Sequence, residues 1–192
     1  VTATENAQTI DAQSTDAQAL TPEEQKAQEL QQVYDMPVES NGYKDWPQGP
    51  GTYGEAGIVM EVGTGAILYA KNIDAHEYPA SITKVLTALV ALENGQLTDN
   101  VTFSHDSVAF LQRGDSSVGL KEGNVITLDQ AMHAMLLASA NEAAYAIGES
   151  VGVNDGHDYN WFIEQMNSRC KELGGENSNF ANTNGLHDPN HY

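Results

Sequence analysis

Two stretches of almost unbroken apolar residues, 56–62 and 66–71, flank Gly63-Thr64-Gly65. Short apolar runs on either side of a glycine-rich break predict a β-hairpin. Because the runs do not alternate with polar residues, they predict strands covered on both faces, as in a sheet overlain by helices. Beyond Ile82 the pattern becomes helical. Residues 85–92 carry no charge, and the run stops at Asn94-Gly95, a helix C-terminal signal. Residues 101–103 and 125–127 predict two short strands. Thr127-Leu128-Asp129-Gln130 reads as a capping box that opens an apolar helix through residues 131–138. A helix of small residues, 142–149, follows, and then a helix over 159–173 that ends at Gly174-Gly175. No segment repeats.

The chain ahead of the hairpin has a different character. Residues 1–45 are rich in Ala, Gln and Thr, and hold nine carboxylates against Lys26 and Lys44. Such a segment buries too little apolar surface to offset its ordering entropy, which predicts a disordered acidic tether. Within it, Thr21-Pro22-Glu23-Glu24 could start a short helix toward Tyr34, with proline at the first helical position. Residues 46–55, with two prolines and several glycines, read as a linker.

The candidate chemistry begins at Ser81-Ile82-Thr83-Lys84. The i, i+3 spacing puts Ser81 and Lys84 on one helical face, and the lysine enters an uncharged run. Burial lowers a lysine from its ordinary value of about 10.4, and a neutral amine beside a serine makes that serine a nucleophile. The alternative is plain: Ser81 as an ordinary N-cap, with the Lys84 ammonium extended to solvent. A second pattern, Ser139-Ala140-Asn141, places two polar side chains between apolar helices. They either cap the following helix or partner Ser81 and Lys84. In the second case Asn141 orients the lysine and a substrate amide, and Ser139 relays a proton to the leaving group.

Ser-x-x-Lys followed by Ser-x-Asn resembles the signature of penicillin-binding proteins and serine β-lactamases. The flanking residues narrow this. Residues 79–89, Ser116-Ser117-Val118-Gly119-Leu120, residues 137–144, and Phe180 through Asn184-Gly185-Leu186 to His191-Tyr192 are similar to serine D-alanyl-D-alanine carboxypeptidases. These are the low-molecular-weight penicillin-binding proteins, and the resemblance covers residues 56–192. Class A β-lactamases share the short motifs but not these phrases.

The resemblance implies an α+β fold of the β-lactamase/transpeptidase-like, α/β-sandwich type, with an antiparallel sheet and helices. It implies Ser81, Lys84, Ser139 and Asn141 as catalytic residues, with Ser139 and Asn141 also binding substrate. It further implies an acyl-enzyme on Ser81, peptidoglycan stem peptides ending in D-Ala-D-Ala as substrate, and acylation by β-lactams. The family's third motif, Lys-Thr-Gly, occurs nowhere in the sequence. The expectation is therefore a partial catalytic domain over 56–192, a fragment incomplete at its C-terminus and inactive alone. Two alternatives stay open: another acyl-enzyme of this type (a β-lactamase or DD-endopeptidase), and a module that binds peptidoglycan or penicillin without turnover.

Charge and the remaining residues exclude other classes. With 8 Lys+Arg against 27 Asp+Glu, the net charge of −19 argues against nucleic acid or an anionic membrane as partner. No run is long enough to span a membrane, so attachment is expected only through an anchor outside this chain. The first residue is Val1, which fits an extracytoplasmic chain whose signal peptide is absent. The single cysteine, Cys170, permits no internal disulfide and reads as a buried thiol. His187 and His191 have an H-x3-H spacing, but no further ligand pair accompanies them, so neither metal nor cofactor is expected. His133 reads as a core histidine.

Overall fold

The computed structural model describes residues 20–192. The chain divides into two compact units at Ile73/Asp74. Residues 1–19, the first part of the expected tether, lie outside the described residues.

The described part of the first unit begins with helix α1, Pro22–Tyr34. Thr21 and Glu24 form a reciprocal capping box, and Pro22 occupies the first turn where its missing N–H costs nothing. Residues 36–55, expected as the end of a tether and a linker, carry a 3-10 turn at Glu39–Gly42 and several fastenings to a hairpin. The hairpin strands are β1, Gly57–Met60, and β2, Ile67–Lys71, antiparallel with an irregularity at Val59/Met60. The Trp46 indole N–H donates to Leu68 O at 2.9 Å, and the Tyr69 hydroxyl donates to Pro50 O at 3.0 Å. Lys71 is wholly buried and donates to Val33 O and Thr52 O, so its ammonium meets the carbonyl end of α1. These strands leave much of their apolar surface exposed. Ile58, Val59 and Met60 are each 52% exposed, although they point to alternate faces.

The second unit holds a helical core. A 3-10 turn, Ala80–Ile82, leads into α2, Thr83–Asn94. Strand β3, Asn100–Thr102, pairs antiparallel with β4, Val125–Thr127, with the short helix α3, His105–Ala109, between them. Helices α4, Leu128–Ala138, α5, Asn141–Asn154, and α6, Tyr159–Glu172, complete it. The Thr127/Gln130 capping box forms as expected. Ten of the fourteen residues of α5 are buried, which makes it the central helix. Its small side chains permit this: a Cβ on Gly152 would lie 2.3 Å from Asp158 O. Val90, Leu128, Met135, Ile147, Phe162 and Met166 fill the space around it.

Three local expectations change. Helix α2 does end at Asn94, but Gly95 is extended rather than left-handed. A Cβ there would lie 3.1 Å from Ala91 O and 3.2 Å from the Leu128 side chain, a tight fit that glycine avoids. His133 is not a core residue; its side chain is 65% exposed and its Nδ1 pairs with Asp129 O on the outer face of α4. Cys170 is half-buried rather than buried, its Sγ 3.9 Å from Gly175 O.

Candidate active site

Ser81 and Lys84 do come together, but not as a capped helix start. Ser81 lies in the 3-10 turn before α2, and no side chain caps that helix. Ala80, just before it, has φ +47°, a left-handed conformation that costs a non-glycine residue about 1–2 kcal/mol. The turn leaves Ser81 exposed while Lys84, one turn on, is 2% exposed. Lys84 Nζ donates to Ser81 Oγ at 3.0 Å, to Asn141 Oδ1 at 2.8 Å and to Asn184 O at 2.6 Å. Ser139 Oγ donates to Ser81 Oγ at 2.8 Å. Lys84 and Ser139 therefore meet at the Ser81 hydroxyl, and Asn141 joins them through Lys84 Nζ.

The alternative in which Ser139 and Asn141 cap the next helix is not what forms. Ser139 is the left-handed C-cap of α4, with φ +55° and ψ +30°, and α5 starts without a side-chain cap. That reversal between two buried helices turns Ser139 toward Ser81 and sets Asn141 in the first turn of α5, beside Lys84.

Among the described residues no carboxylate touches the Lys84 ammonium. Its partners are a serine hydroxyl and two carbonyl oxygens, so burial dominates and pulls its pKa from 10.5 down to about 8, with the Glu142 charge opposing. The two carbonyls can hold two N–H groups of a neutral amine. That leaves the lone pair for the Ser81 hydroxyl, the arrangement a general base requires. A cavity of about 240 Å³ opens over the hydroxyl, lined by Ala80, Ser81, Gly114, Asp115, Ser116, Asn141, Asn184, Gly185 and Leu186.

The sequence pattern of the D-alanyl-D-alanine carboxypeptidase family matches residues 47–192. The chain belongs to that family. It is 32% identical over 143 residues to D-alanyl-D-alanine carboxypeptidase DacF of Bacillus subtilis, which covers 72% of this chain and 35% of that protein. Penicillin binding protein 5 from Haemophilus influenzae shares its fold with a TM-score of 0.66 at 30% identity, over 76% of this chain and 43% of that structure. A Streptomyces DD-transpeptidase gives 0.62 at 29% identity, over 70% of this chain and 53% of that structure. The chain thus spans about a third of the length of the curated relatives it matches. The α+β fold expected from the sequence is the fold of these neighbours.

Three features of this carboxypeptidase-family site were not among the residues singled out as catalytic. The first is the segment 180–192, held to one face of α2. His191 meets Thr83 Oγ1 at 2.7 Å, Asn184 O accepts a hydrogen bond from Lys84 Nζ, and Thr87 Oγ1 donates to Thr183 O at 2.7 Å. The 83, 84, 87 spacing that lines these three up is a helical one, so the anchoring was readable only once the partner segment was known. The second is Gly185, whose backbone lies against Ala80 O. The third is Glu142, a buried carboxylate beside Asn141.

The two histidines once weighed as a metal pair face different partners. His187 meets the Tyr78 ring edge-on, whereas His191 is 2% exposed. The Ala181 N–H donates to His191 Nδ1 at 3.1 Å, so that nitrogen is unprotonated and Nε2–H faces Thr83 Oγ1. Burial lowers the His191 pKa, against a smaller opposing effect of Asp188. A histidine lowered in the folded state takes up its proton more readily when unfolded. Its contribution to stability is complete above its ordinary value of 6.5 and is lost as pH falls below it. The thermal midpoint should therefore drop between pH 7.5 and 5.5, and the drop should be smaller in His191→Gln, by about 2–4 °C for each kcal/mol recovered. Equal drops in both proteins, followed by circular dichroism, would contradict this role.

Proposed function

We propose that the chain carries the nucleophile half of a serine DD-carboxypeptidase acting on peptidoglycan stem peptides. Ser81 is the nucleophile, Lys84 the base, Asn141 the residue that orients the lysine and a substrate amide, and Ser139 the proton relay. The observation that supports this most directly is Lys84 Nζ lying 3.0 Å from Ser81 Oγ with a pKa near 8 and no carboxylate in contact. Neutral Lys84 takes the Ser81 proton as Oγ attacks the carbonyl of the D-Ala-D-Ala bond. Collapse of the tetrahedral adduct expels the D-alanine amine, which receives a proton through Ser139. Water, deprotonated by the same lysine, then hydrolyses the ester and restores Ser81. A β-lactam ring presents an equivalent amide and would leave its ester on Ser81. Likeness to a DD-transpeptidase supports an amine acceptor as a second possible fate of the same ester.

A peptidoglycan substrate supports an extracytoplasmic location for the protein. Among the described residues no helix is long and apolar enough to cross a membrane. Lys-Thr-Gly, whose strand in the family that this chain resembles supplies an oxyanion-hole N–H, is not among the 192 residues, and one missing oxyanion donor typically slows acyl transfer about 100- to 1,000-fold. The test is therefore prolonged incubation with a fluorescent penicillin and mass mapping of the adduct. The expected label is on Ser81 and is lost in Ser81→Ala. Labelling that survives this substitution, or maps elsewhere, rules the assignment out.

A further inference from the structure

Glu142 is wholly buried in the first turn of α5, directly after Asn141. Its Oε1 accepts from the Ser117 hydroxyl at 2.7 Å, from Val118 N at 2.8 Å and from Gly119 N at 3.1 Å. Asn141 N donates to Ser116 O at 2.9 Å, so two successive residues of α5 hold the same stretch of chain. Ser116 is part of the wall of the cavity over Ser81. Glu142 therefore connects that wall to the residue that holds Lys84.

The second oxygen, Oε2, is buried and has no hydrogen-bond partner among the described residues. Three donors thus converge on the other oxygen of the same carboxylate. A buried charge of this kind needs a compensating one. Lys84 is the only buried cation among the described residues of 74–192. We propose that Glu142 is a positioning residue of the acyl-transfer site, clamping segment 116–119 against the Ser81 cavity with one oxygen while its charge balances the Lys84 ammonium through space.

The charge arm is specific to Glu142. Of the other titratable groups on elements packed against α2, Glu164, Lys171 and Glu172 are exposed, Glu149 keeps one buried oxygen without a partner among the described residues, and several have contacts of their own. Tyr145 stacks on Tyr159, Glu149 acts on those two tyrosines, and Arg169 pairs with Glu93. His133 faces Asp129, Asp115 accepts from Gln112 N, and His191 is held between Thr83 and Ala181. Glu142 alone raises Lys84 against the lowering effect of its burial. A base kept from falling too low remains strong enough to take a serine proton, which is where this inference rests on the acyl-transfer reading.

Titrating Lys84 by NMR in chain carrying isotope-labelled lysine, with amide exchange read at Val118 and Gly119, separates the two arms. Neither readout needs Ser81 to react. Glu142→Gln keeps an oxygen acceptor but loses the charge, so Lys84 should titrate about one unit lower while Val118 and Gly119 keep their protection within a few-fold. Glu142→Asp should return Lys84 close to its original titration. Glu142→Ala should also release the clamp, with at least tenfold faster exchange at both amides. Lys84 titrating unchanged in Glu142→Gln overturns the charge role, and unchanged exchange in Glu142→Ala overturns the clamp. Should Glu142→Ala fail to fold, the clamp is read from Glu142→Asp, whose shorter reach should still speed exchange at Val118 and Gly119. Loss of penicillin labelling with these shifts intact would count against Ser81 as nucleophile, not against Glu142.

Discussion

Lys84→Arg should leave the chain folded and reduce acylation of Ser81 by about 100- to 10,000-fold, the usual range for losing a general base. Arginine keeps the positive charge and can donate to Asn141 Oδ1 and Asn184 O, but it does not deprotonate in a protein. A purely electrostatic role for Lys84 would survive the change, whereas a base would not. The same logic fixes the pH profile. With Lys84 at about 8, the neutral amine is the minor form at neutral pH, so the labelling rate should rise about tenfold per unit up to pH 8 and level off above it. A rate that is flat from pH 6 to 9, or a Lys84→Arg chain that labels normally, would remove Lys84 from the reaction. Stopped incubations with a fluorescent penicillin at a series of pH values measure both.

Gly185→Ala should be nearly as damaging, although its side chain is a single methyl group. Gly185 has φ +83°, a conformation costly for any residue with a Cβ. More severely, that Cβ would lie 1.8 Å from Ala80 O and 2.3 Å from its carbonyl carbon. Backbone cannot yield as a side chain end can. Either the segment around Asn184 lifts from α2, which withdraws a hydrogen bond from Lys84, or the Ala80–Ile82 turn moves and takes Ser81 with it. A loss of about 3 kcal/mol in stability is the expected scale for combined backbone strain and overlap. Labelling of Ser81 should fall together with it. Gly156 offers the control: it also has positive φ, +82°, but nothing lies within 4 Å of its Cβ position, so Gly156→Ala should cost stability alone and less of it. Denaturant midpoints and labelling of the two variants side by side check this, and a Gly185→Ala chain as stable as Gly156→Ala would show that the close approach to Ala80 is not real.

Helix α1 shows how far local pattern reaches and where it stops. Thr21, Pro22 and Glu24 announced its start, because capping is a matter of three or four adjacent residues. What fastens the stretch after it was not visible. Lys71, 38 residues beyond Val33, reaches the carbonyl at the end of α1, and composition carries no trace of such a pairing. The hairpin shows the reverse case. Its strands were legible from two apolar runs, while their coverage was not, since burial depends on which elements lie over a sheet and not on the strands' own residues. His133 was misplaced for a related reason. An apolar neighbourhood in sequence, Met132 and Met135, sits on the inner face of α4 while His133 turns outward by the helical period.

The amino-acid sequence by itself determined the longer helices, the strands, the family, and the spacing of the four polar residues singled out, because each of these is written in short-range pattern, whereas the short helix α3 was not read from it. Ser81 to Lys84 is one helical turn, and Ser139 to Asn141 is one reversal. The tertiary structure decided what those residues can do. Only folding brings Ser139 Oγ to 2.8 Å from Ser81 Oγ across 58 residues, and Asn184 O to 2.6 Å from Lys84 Nζ across 100. Only folding strips water from Lys84 and gives it neutral acceptors in place of a carboxylate, and that desolvation is what lowers its pKa from 10.5 to about 8.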